Sequence, residues 1–132
     1  MPSVNTTITG NIAIGSSINV PINAKFPLKE KTTLTLDYVY QKDADHPTPP
    51  QGSIQDLTTW FKNTFSVDIP LPANVQTYAV QITRLHLETT GNAGVTAGFG
   101  KIVDGKFDDT WKPFDSINIT LSKVTVDVER TA

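Results

Sequence analysis

The sequence predicts an all-β domain over residues 1–132, a two-sheet β-sandwich of jelly-roll type with about eight strands and one short helix. Three observations predict it. Apolar residues alternate with polar ones over long stretches. Nineteen threonines, stiff at χ1, favour strand over helix. Two long segments also change the parity of their apolar residues partway, as strands do when they turn a corner or pass between sheets.

The first alternating runs are Ile8, Gly10, Ile12, Ile14, then Ile18, Val20, Ile22, Ala24, Phe26, then Leu34, Leu36, Tyr38, Tyr40. They read as three half-buried strands. Gly15-Ser16-Ser17 separates the first two, and the loop Pro27 to Lys31 the next two. From Lys42 to Gly52 the chain carries Asp43, Asp45, His46, Pro47, Pro49 and Pro50, which predicts a stiff, exposed loop. Ser53 with Asp56 three residues on resembles a capping box, and Ile54, Leu57 and Phe61 share a helical face, so residues 53–62 are expected to form a short helix. Phe65, Val67 and Ile69 alternate into Pro70 and Pro72, the pattern of a short edge strand.

Between Val75 and Thr89 the apolar positions are even at Tyr78, Val80 and Ile82 but odd at Leu85 and Leu87, placing a bulge or bend near Thr83-Arg84. Gly91 to Gly94 reads as a turn, Val95, Ala97 and Phe99 as a strand, and Asp104-Gly105 as a hairpin turn into Phe107. The last strand, 117–128, switches from Ile117, Ile119, Leu121 to Val124, Val126, Val128, placing a second irregularity near Ser122-Lys123.

Composition bounds the function. Eleven basic and thirteen acidic residues are scattered to a formal charge of -2, without the basic stripe that nucleic-acid or anionic-membrane binding requires, so no nucleic-acid partner is expected. No apolar run is long enough to span a bilayer. The first residues lack the basic and apolar regions of a secretory signal, so cytoplasmic synthesis is expected, with the final location open. The Asn-X-Thr sequons at Asn5 and Asn118 are then chance occurrences in a threonine-rich chain. Without cysteine there are no disulfides, thiolate metal sites or thiol nucleophiles. With two histidines, and no serine elbow, phosphate-binding glycine loop or zinc-protease motif, the chain is read as a non-enzyme without a cofactor or metal.

Three groups of polar or aromatic residues are candidate ligand-binding positions. Arg84, His86 and Glu88 share one strand face if Leu85 and Leu87 point to the core. A cation, an imidazole and a carboxylate so spaced can grip a polar ligand or a partner's charge in a pH-dependent way, or form a solvated face with weak ion pairing. Asp43, Asp45 and His46 can ligate a hard cation or sugar hydroxyls, although calcium asks for six to eight oxygens and this loop would need help, for instance from Asp56. Asp104, Asp108 and Asp109 surround the hairpin turn, where Asp104 serves turn geometry. Trp60 lies beside the helical stripe, while Trp111, near Asp109, is the candidate for stacking a sugar ring.

The expectation is a non-enzymatic interaction or assembly module, with a protein partner or self-association, as in a structural subunit of a virion, tail or injection apparatus. Its contact strands would be residues 5–14 and 117–128. The alternative is a lectin-like carbohydrate binder using loops 42–52 and 104–113; a small toxin or immunity protein is a third reading.

Overall fold

The computed structural model describes residues 5–27, 35–71, 77–88, 90–113 and 116–131. Among the described residues, eight strands and one helix follow the order β1 (Asn5–Ile14), β2 (Ile18–Pro27), β3 (Thr35–Val39), β4 (Gln51–Ser53), α1 (Ile54–Phe65), β5 (Ala79–Glu88), β6 (Ala93–Val103), β7 (Lys106–Asp108) and β8 (Thr125–Arg130). The fold is thus mostly β with one short helix, and every strand pairing is antiparallel. The sheet runs β1-β2-β3-β5-β6, with β4 sharing the β3 side of β5 and β8 lying on the far side of β6. The last residues of β6 leave β8 and form a short ladder with β7.

The alternation becomes a one-sided core. Ile14, Ile18 and Val20 from the first hairpin, Val80, Ile82 and Leu85 from β5, and Ala93, Val95, Ala97 and Phe99 from β6 are buried together with Ile54, Leu57 and Phe61 of α1. The helix therefore lies against this face of the sheet. It begins at Ser53, whose Oγ accepts the backbone N–H of Asp56 at 3.1 Å. It ends one turn beyond the predicted 53–62 span, at Ser66, which adopts φ 57 and donates its N–H to the Lys62 carbonyl.

The first predicted parity switch is a bulge, and the second falls just ahead of the start of β8. The β5–β6 register shifts between Ile82 and Arg84, so Thr83 is the bulge residue; its carbonyl accepts from Tyr40 N at 2.9 Å and its hydroxyl donates to the Thr96 carbonyl. Near the second switch Lys123 adopts φ 55, and β8 starts only two residues later. The Asp104-Gly105 turn has φ of 53 and 77, the doubly positive geometry of a tight hairpin.

Three expectations are corrected. Phe65 closes the helix and residues 67–71 form no ladder: Val67, Ile69 and Leu71 pack partly against the core as an extended segment, which produces strand-like alternation without strand pairing. Residues 117–121 are likewise irregular, with one bridge among the described residues, between Trp111 and Leu121, and Ile117, Ile119 and Leu121 are exposed. The end of the 42–52 loop is strand, since Pro50 O accepts from Ile82 N and Gln51–Ser53 pair with β5. Gly52 permits this close approach, because a Cβ there would collide with Ile18 and Ser17. The loop positions Leu28 to Lys31, with Leu34, Pro72, Val75 and Thr89, lie outside the described residues.

Candidate functional site

Parity along β5 puts Leu85 in the core and Arg84, His86 and Glu88 on the opposite face, as the sequence predicts. The Thr83 bulge is what brings Arg84 onto that face. The three side chains do not form one cluster. His86 stands between two carboxylates, its Nδ1 2.5 Å from Asp37 Oδ1 on β3 and its Nε2 2.6 Å from Glu88 Oε2. Arg84 reaches the other way, with Nη1 2.9 Å from Glu129 Oε1 on β8. Thr96 of β6 donates to Asp127 of β8 at 2.8 Å.

Register places His86 in a continuous row. Thr9 pairs with Asn23, Asn23 with Asp37, Asp37 with His86, His86 with Gly94 and Gly94 with Glu129, from the first strand to the last. Electrostatics follow from the contacts. Hydrogen bonds first to Glu88 and then to Asp37 raise the His86 pKa above its ordinary 6.5. The same imidazole is the main cause lowering that of Glu88, which also accepts from Thr90 Oγ1 and Asn92 Nδ2. The set favours an imidazolium held between two carboxylates. Asp37, Asp127 and Glu129 escaped the sequence reading: parity marks Asp37 as outward, between Leu36 and Tyr38, but carries no signal of which strand lies beside it.

The acidic loops are organised for local turns. Asp43 Oδ1 accepts from Asp45 N at 2.9 Å, from His46 N at 2.7 Å and lies 3.0 Å from His46 Nδ1, and the backbone bond from His46 is the main cause holding its carboxyl below the ordinary range. Asp45 and His46 are exposed, and His46 borders a shallow hollow of about 200 Å³ with Pro21, Tyr38 and Tyr40. The Tyr40 hydroxyl donates to the His46 carbonyl, and burial followed by the neighbouring Tyr40 pushes the Tyr38 pKa up. Asp108 Oδ1 accepts the backbone N–H and the hydroxyl of Thr110, Asp109 is half-buried, and Asp104 occupies the turn. Among the described residues no three His, Asp or Glu side chains are placed to hold a metal ion.

Trp111 does not stand free as a stacking platform. Its ring packs 5.4 Å from that of Phe99, its backbone N–H and carbonyl both pair with Leu121, and its Nε1 is buried without a hydrogen-bond partner among the described residues. Trp60 packs edge-on against Phe61 and Phe65. No helix among the described residues is long and apolar enough to cross a membrane. No protein-family model, curated protein or solved structure matches the chain.

Proposed function

We propose that the chain is a non-enzymatic interaction and assembly module and that β1 is its contact strand. One observation carries the reading. β1 pairs with β2 rung by rung from Asn5↔Pro27 to Ile14↔Ile18, and its other edge has no partner among the described residues. Over those ten residues, NTTITGNIAI, there is no charge, no proline and no bulge, the devices by which edge strands are normally kept from pairing. Such an edge offers backbone donors and acceptors to a further strand, from a second copy or from a partner. The second contact strand expected from the sequence is less suited, since β8 is six residues long and carries Asp127, Glu129 and Arg130.

The sandwich reading of the fold belongs with this proposal, because an open sandwich keeps a free edge where a closed barrel does not. So does the setting, a repeated subunit of a larger particle, in which one edge meets the next copy. The lectin reading draws no support from Trp111, which is packed on Phe99.

Light scattering coupled to size exclusion, with and without calcium, tests the proposal on the wild type and on Asn11→Lys, which places a charge at an exposed position of the edge. The expected result is a discrete oligomer or filament that becomes monomeric in the variant, with an unchanged circular-dichroism spectrum. A wild-type monomer at every concentration would overturn self-assembly through β1.

A further inference from the structure

We infer that His86 is a proton-operated latch between β3 and β5, and that it sets how firmly the β1–β2 hairpin, with its free edge, is joined to the rest of the sheet. The latch stands on geometry alone; its bearing on assembly rests on the proposed function of β1.

Ionised carboxylates only accept hydrogen bonds, and neutral imidazole has one N–H, whereas imidazolium has two. Both ring nitrogens of His86 face carboxylate oxygens, so the observed pair of contacts is complete only when the ring is protonated. On deprotonation one contact must turn from attraction to lone-pair repulsion. Glu88 keeps its bonds from Thr90 and Asn92 and is the more enclosed, at 25% side-chain exposure against 59% for Asp37. The Asp37 contact is therefore the one released.

Asp37 sits where release matters. It is the register partner of His86 on one side and of Asn23 on the other, and Asn23↔Asp37 is the one register pair between β2 and β3 among the described residues. The hairpin has a second attachment at its turn, where Ser17 binds Asp56, so opening the latch loosens its middle and leaves its turn in place.

Among the described side chains on this face, the one cation beside His86 is already engaged and does not replace the lost proton. Arg84, on the same face of β5, is engaged by Glu129. On β6 the residue opposite His86 is Gly94, over which the Glu129 carboxylate leans, and Thr96 is bonded to Asp127. With His86 neutral the described charges on this face are Asp37, Glu88, Asp127 and Glu129 against Arg84 alone. The latch is thus closed while His86 is protonated and both carboxylates are ionised, and it opens as pH rises through the His86 pKa, which its two carboxylates hold above the ordinary histidine value.

The test combines ¹⁵N NMR of the His86 ring, hydrogen-exchange protection factors of the β3 amides corrected for intrinsic rates, and solution mass, all across the His86 midpoint. In the wild type, β3 protection is expected to fall at least threefold above the midpoint and the oligomer to dissociate with the same midpoint. In Asp37→Asn and in His86→Gln both quantities are expected to be flat. Wild-type β3 protection that does not change while His86 titrates would overturn the latch. A change in protection with an oligomer that persists on both sides would overturn only its control of assembly. A monomer throughout would overturn the assembly reading, and the protection data alone would then decide the latch.

Discussion

Ser17 Oγ lies 2.5 Å from Asp56 Oδ2 and accepts the backbone N–H of Ser53 at 3.1 Å. The hydroxyl of the first hairpin's turn is thereby inserted into the helix cap. In an ordinary capping box the acidic side chain would reach back to the cap residue's N–H. Here Ser17 stands between them, so one arrangement starts the helix and fixes the turn of β1–β2 against it.

This relay makes acid stability depend on Ser17. The Ser17 hydroxyl is the first cause lowering the Asp56 pKa from 3.8. A lowered carboxylate pKa contributes stability that is present above the unfolded value and lost as pH falls through the folded one. In Ser17→Ala the Asp56 pKa is expected to rise toward 3.8, and the acid limb of the stability curve to become shallower. Titration of the Asp56 carboxyl carbon and urea unfolding at a series of acid pH values check both.

Two glycines on the outer face of β6 should respond differently to a methyl group. At Gly94 an added Cβ meets the Glu129 carboxylate, the mobile end of a side chain, which can swing away and give up its exposed pair with Arg84. Gly94→Ala is expected to cost less than about 1 kcal/mol. At Gly100 the added Cβ runs into the backbone of Asp108 and Asp109, which cannot move without disturbing β7. Gly100→Ala is expected to cost about 1–3 kcal/mol. Urea midpoints of the two variants provide the comparison, and equal values would refute the distinction.

Phe61 is fully buried and tilts against Phe65 with ring centroids 5.0 Å apart, while Trp60 beside it is half-buried. Phe61→Ala is expected to lose about 3–5 kcal/mol, by lost transfer energy and an unfilled cavity. Trp60→Ala should lose clearly less. Chemical denaturation would rank them, and a larger loss at Trp60 would mean that the helix is anchored by its other flank.

Ser66 and Lys123 hold left-handed backbone at φ 57 and 55, a region that disfavours residues with a Cβ. Ser66→Gly is expected to raise stability by about 0.5–1 kcal/mol, the strain relieved less the added freedom of the unfolded chain. Thermal unfolding would show a higher midpoint. Lys123→Gly should act in the same direction.

Where the chain's chemistry is periodic, the sequence is informative. Alternation through Ile14, Ile18, Val20, Val80 and Val95 placed the core face, and the shift from Ile82 to Leu85 located the bulge at Thr83. The same parity put Arg84, His86 and Glu88 on one face. It could not supply Asp37 or Glu129, because a period of two assigns faces and says nothing of neighbours. Strand-like alternation at Val67 and Ile69 arose from one-sided packing without a ladder. Gln51–Ser53 is too short to show any period, and nothing in the residues around Trp111 reveals how deeply its ring sits against Phe99.

The strand order also has a mechanical meaning. β1 and β8 occupy opposite margins of the sheet, with five inter-strand gaps between them along the register row. At about 4.8 Å per gap, that is a lateral span of about 24 Å. A force applied between Asn5 and Arg130 would act mainly across the strands, so the ladders would be peeled one hydrogen bond after another from the margins inward, and would not be sheared all at once. Tethered at both ends, this domain would yield early and gradually under tension.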